Sequence, residues 1–143
     1  MGECVLVVDD HPPMVKLIVD ALEKAGYLAL SAQNGAEGLR VASAHRPDLM
    51  ILDVEMPVMN GFEVLRALRL KVATGTLPVI MLTVHKDPQD LLAGSMGGAD
   101  QYLTKPCRIE EVVAAVKRAL APPDHQPAGL PLPFPSPAES TAR

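Results

Sequence analysis

The stretch CVLVVDDHPPMVKLIVDALEKAG, residues 4–26, contains one whole repeating unit of the fold. Cys4 to Val8 is a short run rich in β-branched residues with no apolar–polar alternation, the pattern of a strand covered on both faces in a parallel sheet. Asp9 and Asp10 end it. From Met14 the period changes. Met14, Leu17, Ile18, Ala21, Leu22 and Ala25 follow the i, i+3, i+4, i+7, i+8, i+11 template of an amphipathic helix, and Gly26 is placed to stop it.

The unit recurs along the chain. Leu49 to Leu52 (LMIL) and Val79 to Leu82 (VIML) repeat the unbroken apolar pattern, and each ends at a polar residue. Leu28 to Ala32 and Gln101 to Thr104 are weaker strand candidates. Ala36 to Ala44 reads as a second helix capped by Asn34, and Phe62 to Leu70 as a third. Asp87 to Met96 makes a fourth with a thin apolar stripe, ended by Gly97 and Gly98. Ile109, Val112, Val113, Val116 and Leu120 mark a fifth, closed by Pro122 and Pro123. Strand and helix thus alternate five times. This predicts an α/β fold: a doubly wound five-stranded parallel sheet, order 2-1-3-4-5, with helices on both faces and right-handed crossovers. Ligands of such sheets sit beyond the carboxyl ends of the strands, where the order reverses, here between the first and third strands.

The bulk properties set limits on function. A chain of 143 residues, 48% of them apolar, suits one domain with a full core. A formal net charge of -4 without any Lys/Arg-rich run argues against direct nucleic-acid binding. The N-terminus lacks a secretory pattern, and no apolar run reaches the ~18 residues a membrane span requires. A cytoplasmic location without membrane contact is expected. Cys4 and Cys107 match no CxxC pattern and are expected to be buried, reduced thiols. Seven of the last 22 residues are proline, so residues 1–121 are expected to form the domain and 122–143 a Pro-rich disordered tail or linker.

The chemistry gathers at the strand ends. The first strong strand delivers Asp9 and Asp10, the third Asp53 and the fourth Thr83; Thr104 and Lys105 follow the weak fifth. A single acid there is an ordinary turn residue. Three crowded at one switch point repel by roughly 4 kcal/mol per close pair at an effective dielectric near 20. Lys105 relieves only part of that, and a divalent cation in an all-oxygen site, Mg2+ by preference, would relieve the rest. With such an ion the parts match phosphoryl transfer: Asp53 as carboxylate nucleophile, Lys105 and Thr83 on the oxygens of the moving group.

The segments VLVVDD (5–10), ILDVEMPVMNGFEVL (51–65), VIMLT (79–83) and GADQYLTKP (98–106) closely resemble the bacterial two-component response-regulator receiver family, from about Cys4 to Leu120. The resemblance implies a flavodoxin-like receiver fold and a phosphoacceptor at Asp53. It implies a phosphoryl donor that is a phosphohistidine on a sensor histidine kinase or phosphotransfer protein, or a small phosphodonor. It further implies Mg2+ or Mn2+ held directly by Asp10 and Asp53, by Asp9 largely through water, and by the backbone carbonyl of Glu55. Thr83 and Tyr102 match the family's switch pair, Lys105 its phosphate-pairing lysine, Pro106 its cis-proline and Gly61 its turn glycine. Such a domain is a switch, not an enzyme, and assists only its own phosphorylation and dephosphorylation. Its output would go to a downstream effector protein or to a C-terminal output domain missing from this chain. The implied contact surface comprises the fourth helix, fifth strand and fifth helix.

Some positions depart from the family pattern. Val84 is bulkier than the usual Ala, Ser or Gly and is expected to restrict donor access; Cys107 replaces a common Phe, and Asn60 a frequent Asp. Of the histidines, His11 follows the acid pair and reads as a solvated loop residue, while His85 lies where it could influence dephosphorylation. Met56 and Met59 read as packing. A haloacid-dehalogenase-type enzyme would need a second Asp where Glu55 stands, and a Rossmann nucleotide site would need a Gly-rich turn where Asp10, His11, Pro12 and Pro13 stand. A degenerate receiver acting only as an interaction module would not be expected to keep every key position filled.

Overall fold

Side chains on a strand point alternately to the two faces of its sheet, and here both faces are covered. The computed structural model describes residues 2–84 and 99–121. The elements are β1 (Cys4–Val8), α1 (Pro12–Lys24), β2 (Leu28–Ala32), α2 (Gly35–His45), β3 (Leu49–Asp53), α3 (Gly61–Leu70), β4 (Val79–Thr83), β5 (Gln101–Thr104) and α4 (Ile109–Leu120). All strand pairs are parallel, in the order β2-β1-β3-β4-β5 expected from the sequence. The expected Asp87–Met96 helix, His85 and the Pro-rich segment from residue 122 lie outside the described residues.

Alternation splits the core in two. Leu6, Val8, Met50, Leu52, Val79 and Met81 pack with Ala42 of α2 and Val64, Leu65 and Leu68 of α3. Val5, Val7, Leu49, Ile51, Ile80 and Leu82 pack on the other face with Ile18 and Leu22 of α1 and Val112, Ala115 and Val116 of α4. The three central strands are buried almost throughout, which accounts for their unbroken apolar sequences. The edge strand β2 is covered less completely and leaves Leu28 60% exposed.

Local signals set the helix ends. α1 starts at Pro12, two residues before its apolar stripe, because proline lacks an N–H that the first turn could not satisfy. Gly26 stops it with φ +98°, a conformation a side chain would disfavour. Asn34 caps α2 by accepting from the Glu37 N–H at 2.8 Å. Asn60 and Glu63 form a reciprocal capping box on α3, at 3.0 and 2.9 Å. Both thiols are half-buried and unpaired to each other, not fully buried as expected. Cys4 opens β1 at the rim of the sheet, and Cys107 sits in the turn before α4.

Gly61 fixes the approach of α3 to β3. A Cβ there would lie 2.7 Å from the Asp53 carbonyl oxygen, 2.8 Å from Val54 Cα and 2.9 Å from Met81 Cε. Two of those atoms are backbone and cannot swing away. Gly61→Ala is therefore expected to destabilise the fold by about 1–3 kcal/mol despite the better helix propensity of alanine. Urea unfolding with an unchanged m-value measures this, and a change below about 0.3 kcal/mol would show that the loop yields.

Candidate functional site

Register brings the polar residues together at one edge of the sheet. Val8 of β1 pairs with Leu52 of β3, so Asp9 and Asp53 follow side by side. Asp53 pairs with Leu82 and Thr83 with Thr104, which places Thr83 between Asp53 and Lys105. The backbone closes the arrangement: the Val54 N–H donates to the Leu82 carbonyl at 2.9 Å, and the Lys105 N–H to the Thr83 carbonyl at 2.7 Å. Alternation then sorts the side chains. Asp9, Asp53 and Lys105 continue the parity of Val7, Ile51 and Leu103, the face covered by α1 and α4. Thr83 and Tyr102 share the parity of Met81, the opposite face.

One oxygen each from Asp9, Asp10 and Asp53 lie within 4.8 Å of one another. Asp9 and Asp53 are each only 2% exposed, whereas Asp10 stands in solvent. Lys105 Nζ donates to Asp53 Oδ1 at 2.5 Å. Asp9 Oδ1 accepts the His11 N–H at 2.9 Å, and its buried Oδ2 has no hydrogen-bond partner among the described residues. These residues line an open cleft of about 290 Å³ together with His11, Met14 and Glu55.

Burial pushes the Asp53 carboxyl up to about 6; the Lys105 hydrogen bond opposes the rise, and the Asp9 charge adds to it. Burial raises Asp9 too, partly offset by the His11 N–H and the Lys105 charge. For Lys105, burial acts to lower the ammonium, but the Asp53 hydrogen bond and the surrounding carboxylates outweigh it and hold it above its usual value. Among the described residues, the cleft thus holds four carboxylates, with Glu55, against one ammonium. An unpaired buried carboxylate oxygen within an oxygen-only donor set fits a hard divalent cation, and this acidic cluster can hold one.

On the other parity, Thr83 is 1% exposed and its Oγ1 donates to Glu55 Oε2 at 2.7 Å. The Val84 N–H donates to Glu55 Oε1 at 3.2 Å. Tyr102 packs half-buried against the core on the α2–α3 side, and burial pushes its phenol up to about 12. The Lys105–Pro106 bond is cis, as expected. Val84 is 55% exposed and is not among the described residues lining the cleft.

A family model for the response regulator receiver domain matches residues 5–117. This chain belongs to that family. The receiver is 40% identical over 123 residues to the DNA-binding dual master transcriptional regulator RpaA of Synechocystis, covering 86% of this chain and 51% of the relative. It therefore spans about half the length of that relative and of several others, and 97% of one, the protein PilH of Pseudomonas aeruginosa. Among solved structures, the chemotaxis protein CheY4 of Vibrio cholerae superposes with a TM-score of 0.80 at 35% identity, over 84% of this chain and 100% of that one. The receiver domain of the sensor histidine kinase PA1611 from Pseudomonas aeruginosa, solved with a magnesium ion coordinated in its active-site cleft, superposes with a TM-score of 0.74 at 27% identity, over 82% of this chain and 97% of that one. Receivers are phosphoacceptor switches of two-component systems, and the fold and function inferred from the sequence agree with this membership.

The structure brings together Asp9, Asp10, Asp53, Lys105 and Glu55 in one cleft, with Thr83 adjoining through Glu55. Tyr102 stands apart on the other face of the sheet. The sequence reading missed the Glu55 side chain, having considered only its carbonyl, and it missed Met14 in the cleft wall. A fourth acid beside a cluster already in excess was the available signal for Glu55.

Because Asp53 rises from 3.8 in the unfolded chain to about 6 in the fold, the native state binds more protons between those values. Metal-free stability should therefore fall as pH rises from about 4 to 7, by roughly 2–3 kcal/mol from this group. Urea unfolding in EDTA checks it: Asp53→Asn should flatten that decline, and an unchanged pH slope would refute the shift.

Proposed function

We propose that Asp53 accepts a phosphoryl group from a phosphohistidine on a sensor histidine kinase or phosphotransfer protein, or from a small phosphodonor. The observation that carries the proposal is a buried carboxylate at the sheet's switch point, paired with Lys105 and surrounded by further acids. With its carboxyl near 6, Asp53 is ionised at neutral pH and can act as nucleophile. An Asp53 oxygen attacks phosphorus and the donor's P–N bond breaks; the ring, already protonated on its other nitrogen, leaves as neutral imidazole, and the Asp53 carboxylate becomes an acyl phosphate. Lys105 already contacts Asp53 and would pair with the phosphoryl oxygens after transfer. Thr83 would donate to one of those oxygens, and Tyr102 would follow as the second half of the switch.

Asp10 and Asp53 directly, Asp9 through water and the Glu55 backbone carbonyl would hold Mg2+ or Mn2+, which would supply positive charge against the phosphoryl oxygens. The buried Asp9 Oδ2 without a partner supports that assignment. The chain acts as a switch and assists only its own phosphorylation and dephosphorylation. Residues 1–121 form the receiver, and 122–143 serve as tail or linker. Output passes to an effector protein, or to an output domain joined beyond the Pro-rich segment, without direct nucleic-acid contact by this domain. A cytoplasmic site accords with the family and with no described helix being long and apolar enough to cross a membrane.

The decisive experiment is intact-mass measurement after incubation with acetyl phosphate and Mg2+. Wild type should gain one phosphoryl group, while Asp53→Asn and Asp10→Ala should gain none and Lys105→Ala should be modified but fail to switch. Equal labelling of Asp53→Asn and wild type would overturn the assignment. Mg2+ alone should stabilise the protein, by about 2.7 kcal/mol at a hundredfold excess over Kd. That gain should shrink as pH falls from 7.5 to 5, since protons compete for Asp53 and Asp9. Thermal unfolding at the two pH values reads it directly, and an equal gain at both would place the ion elsewhere.

A further inference from the structure

Glu55 does something in this structure that a metal-binding carbonyl does not require. Its carboxylate reaches across 28 sequence positions to the end of β4 and takes two hydrogen bonds there. One comes from the buried Thr83 hydroxyl at 2.7 Å, the other from the Val84 N–H at 3.2 Å. Both involve a charged acceptor, which makes them stronger than neutral bonds of equal length. We propose that Glu55 is a positioning residue that latches β4 in its resting arrangement, holding the Thr83 hydroxyl until phosphorylation turns that hydrogen bond from the Glu55 carboxylate to the phosphoryl group.

A threonine hydroxyl has one proton and so serves one acceptor at a time. At rest that acceptor is Glu55. Glu55 also lines the cleft that contains Asp53. Phosphorylation replaces the single charge of Asp53 with the roughly double charge of a phosphoryl group, close to the Glu55 carboxylate. The same event therefore supplies Thr83 with a new acceptor and repels the old one. Because the second Glu55 oxygen holds Val84, withdrawal of the carboxylate frees the backbone that leaves β4. The Thr83 carbonyl meanwhile accepts the Lys105 N–H at 2.7 Å, and Met81 pairs with Tyr102, so β5 and its aromatic residue are tied to any movement of this strand end.

The latch rests on the reading of Asp53 as phosphoacceptor, and the test separates the two. The Val84 amide resonance reports the clamp. In 15N-labelled protein with EDTA and no donor, Glu55→Ala should shift the Val84 amide upfield and speed its exchange about tenfold. Glu55→Gln, which keeps one acceptor oxygen, should fall between; it also carries the comparison should the alanine variant fail to fold. Beryllofluoride with Mg2+, a phosphoryl mimic, should then move the wild-type Val84 amide toward the position it already holds in Glu55→Ala. Both variants should reach the switched spectrum at roughly three- to tenfold lower mimic concentration than wild type, the range expected for one lost net hydrogen bond. Thr83→Ala should bind the mimic yet leave Val84 nearer its resting position. A Val84 amide indifferent to Glu55→Ala, in protein that acetyl phosphate still labels, would overturn the latch and leave the phosphoacceptor intact. A wild type that neither binds the mimic nor accepts phosphate would overturn both.

Discussion

Two carboxylates buried beside one ammonium form the constraint around which this molecule is arranged. Asp9 and Asp53 are withdrawn from water by the same packing that buries the central strands, and burial disfavours their ionised forms. Lys105 compensates Asp53 directly, while Asp9 keeps one buried oxygen without a hydrogen-bond partner among the described residues. Counted over those residues the site is under-neutralised, and both the cation and the phosphoryl chemistry proposed for it follow from that imbalance.

The alternation of side chains along the strands separates the chemistry from its readout. Asp9, Asp53 and Lys105 lie with the parity of the α1–α4 face; Thr83 and Tyr102 lie with the other. Among the described residues, no single one bridges the two by parity. The connection runs through the loop after β3, where the Glu55 carboxylate meets both the cleft and the Thr83 hydroxyl. That loop is held tightly. Val58 adopts φ +69° in a three-residue turn closed by the Met59 N–H to the Pro57 carbonyl at 2.7 Å. For a β-branched residue this conformation costs about 1–3 kcal/mol, tolerated where the surroundings impose it. Gly61 then lets α3 start against the backbone of Asp53 and Val54.

Much of this was legible in the residues alone. The unbroken runs at 4–8, 49–52 and 79–82 signalled buried parallel strands because such strands have no solvent face to mark with polar residues. The edge strand β2 and the short β5 gave weaker signals because they are only partly covered. Helix ends were legible where a cap carries its own chemistry, as at Asn34 and Gly26, and shifted where proline extends the first turn of α1. The acid cluster followed from the topology, since strand order places residues 9 and 53 side by side however far apart they are in sequence.

By itself, then, the sequence determined the alternating strands and helices, the coverage of both sheet faces and the identity of the groups at the carboxyl edge, because each depends on periodicity and on residues adjacent to strand ends; the strand order fitted the doubly wound rule. Only the tertiary structure decided how those groups share charge and protons. Cys4 and Cys107 proved half-buried because the first opens β1 at the rim of the sheet and the second sits in the turn before α4. Asp10 stands in solvent while its neighbour Asp9 is buried, a difference made by side-chain direction and not by composition. The engagement of Thr83 by Glu55 is a contact between a loop and a strand 28 positions apart, and a hydrogen bond needs distances that no local pattern encodes.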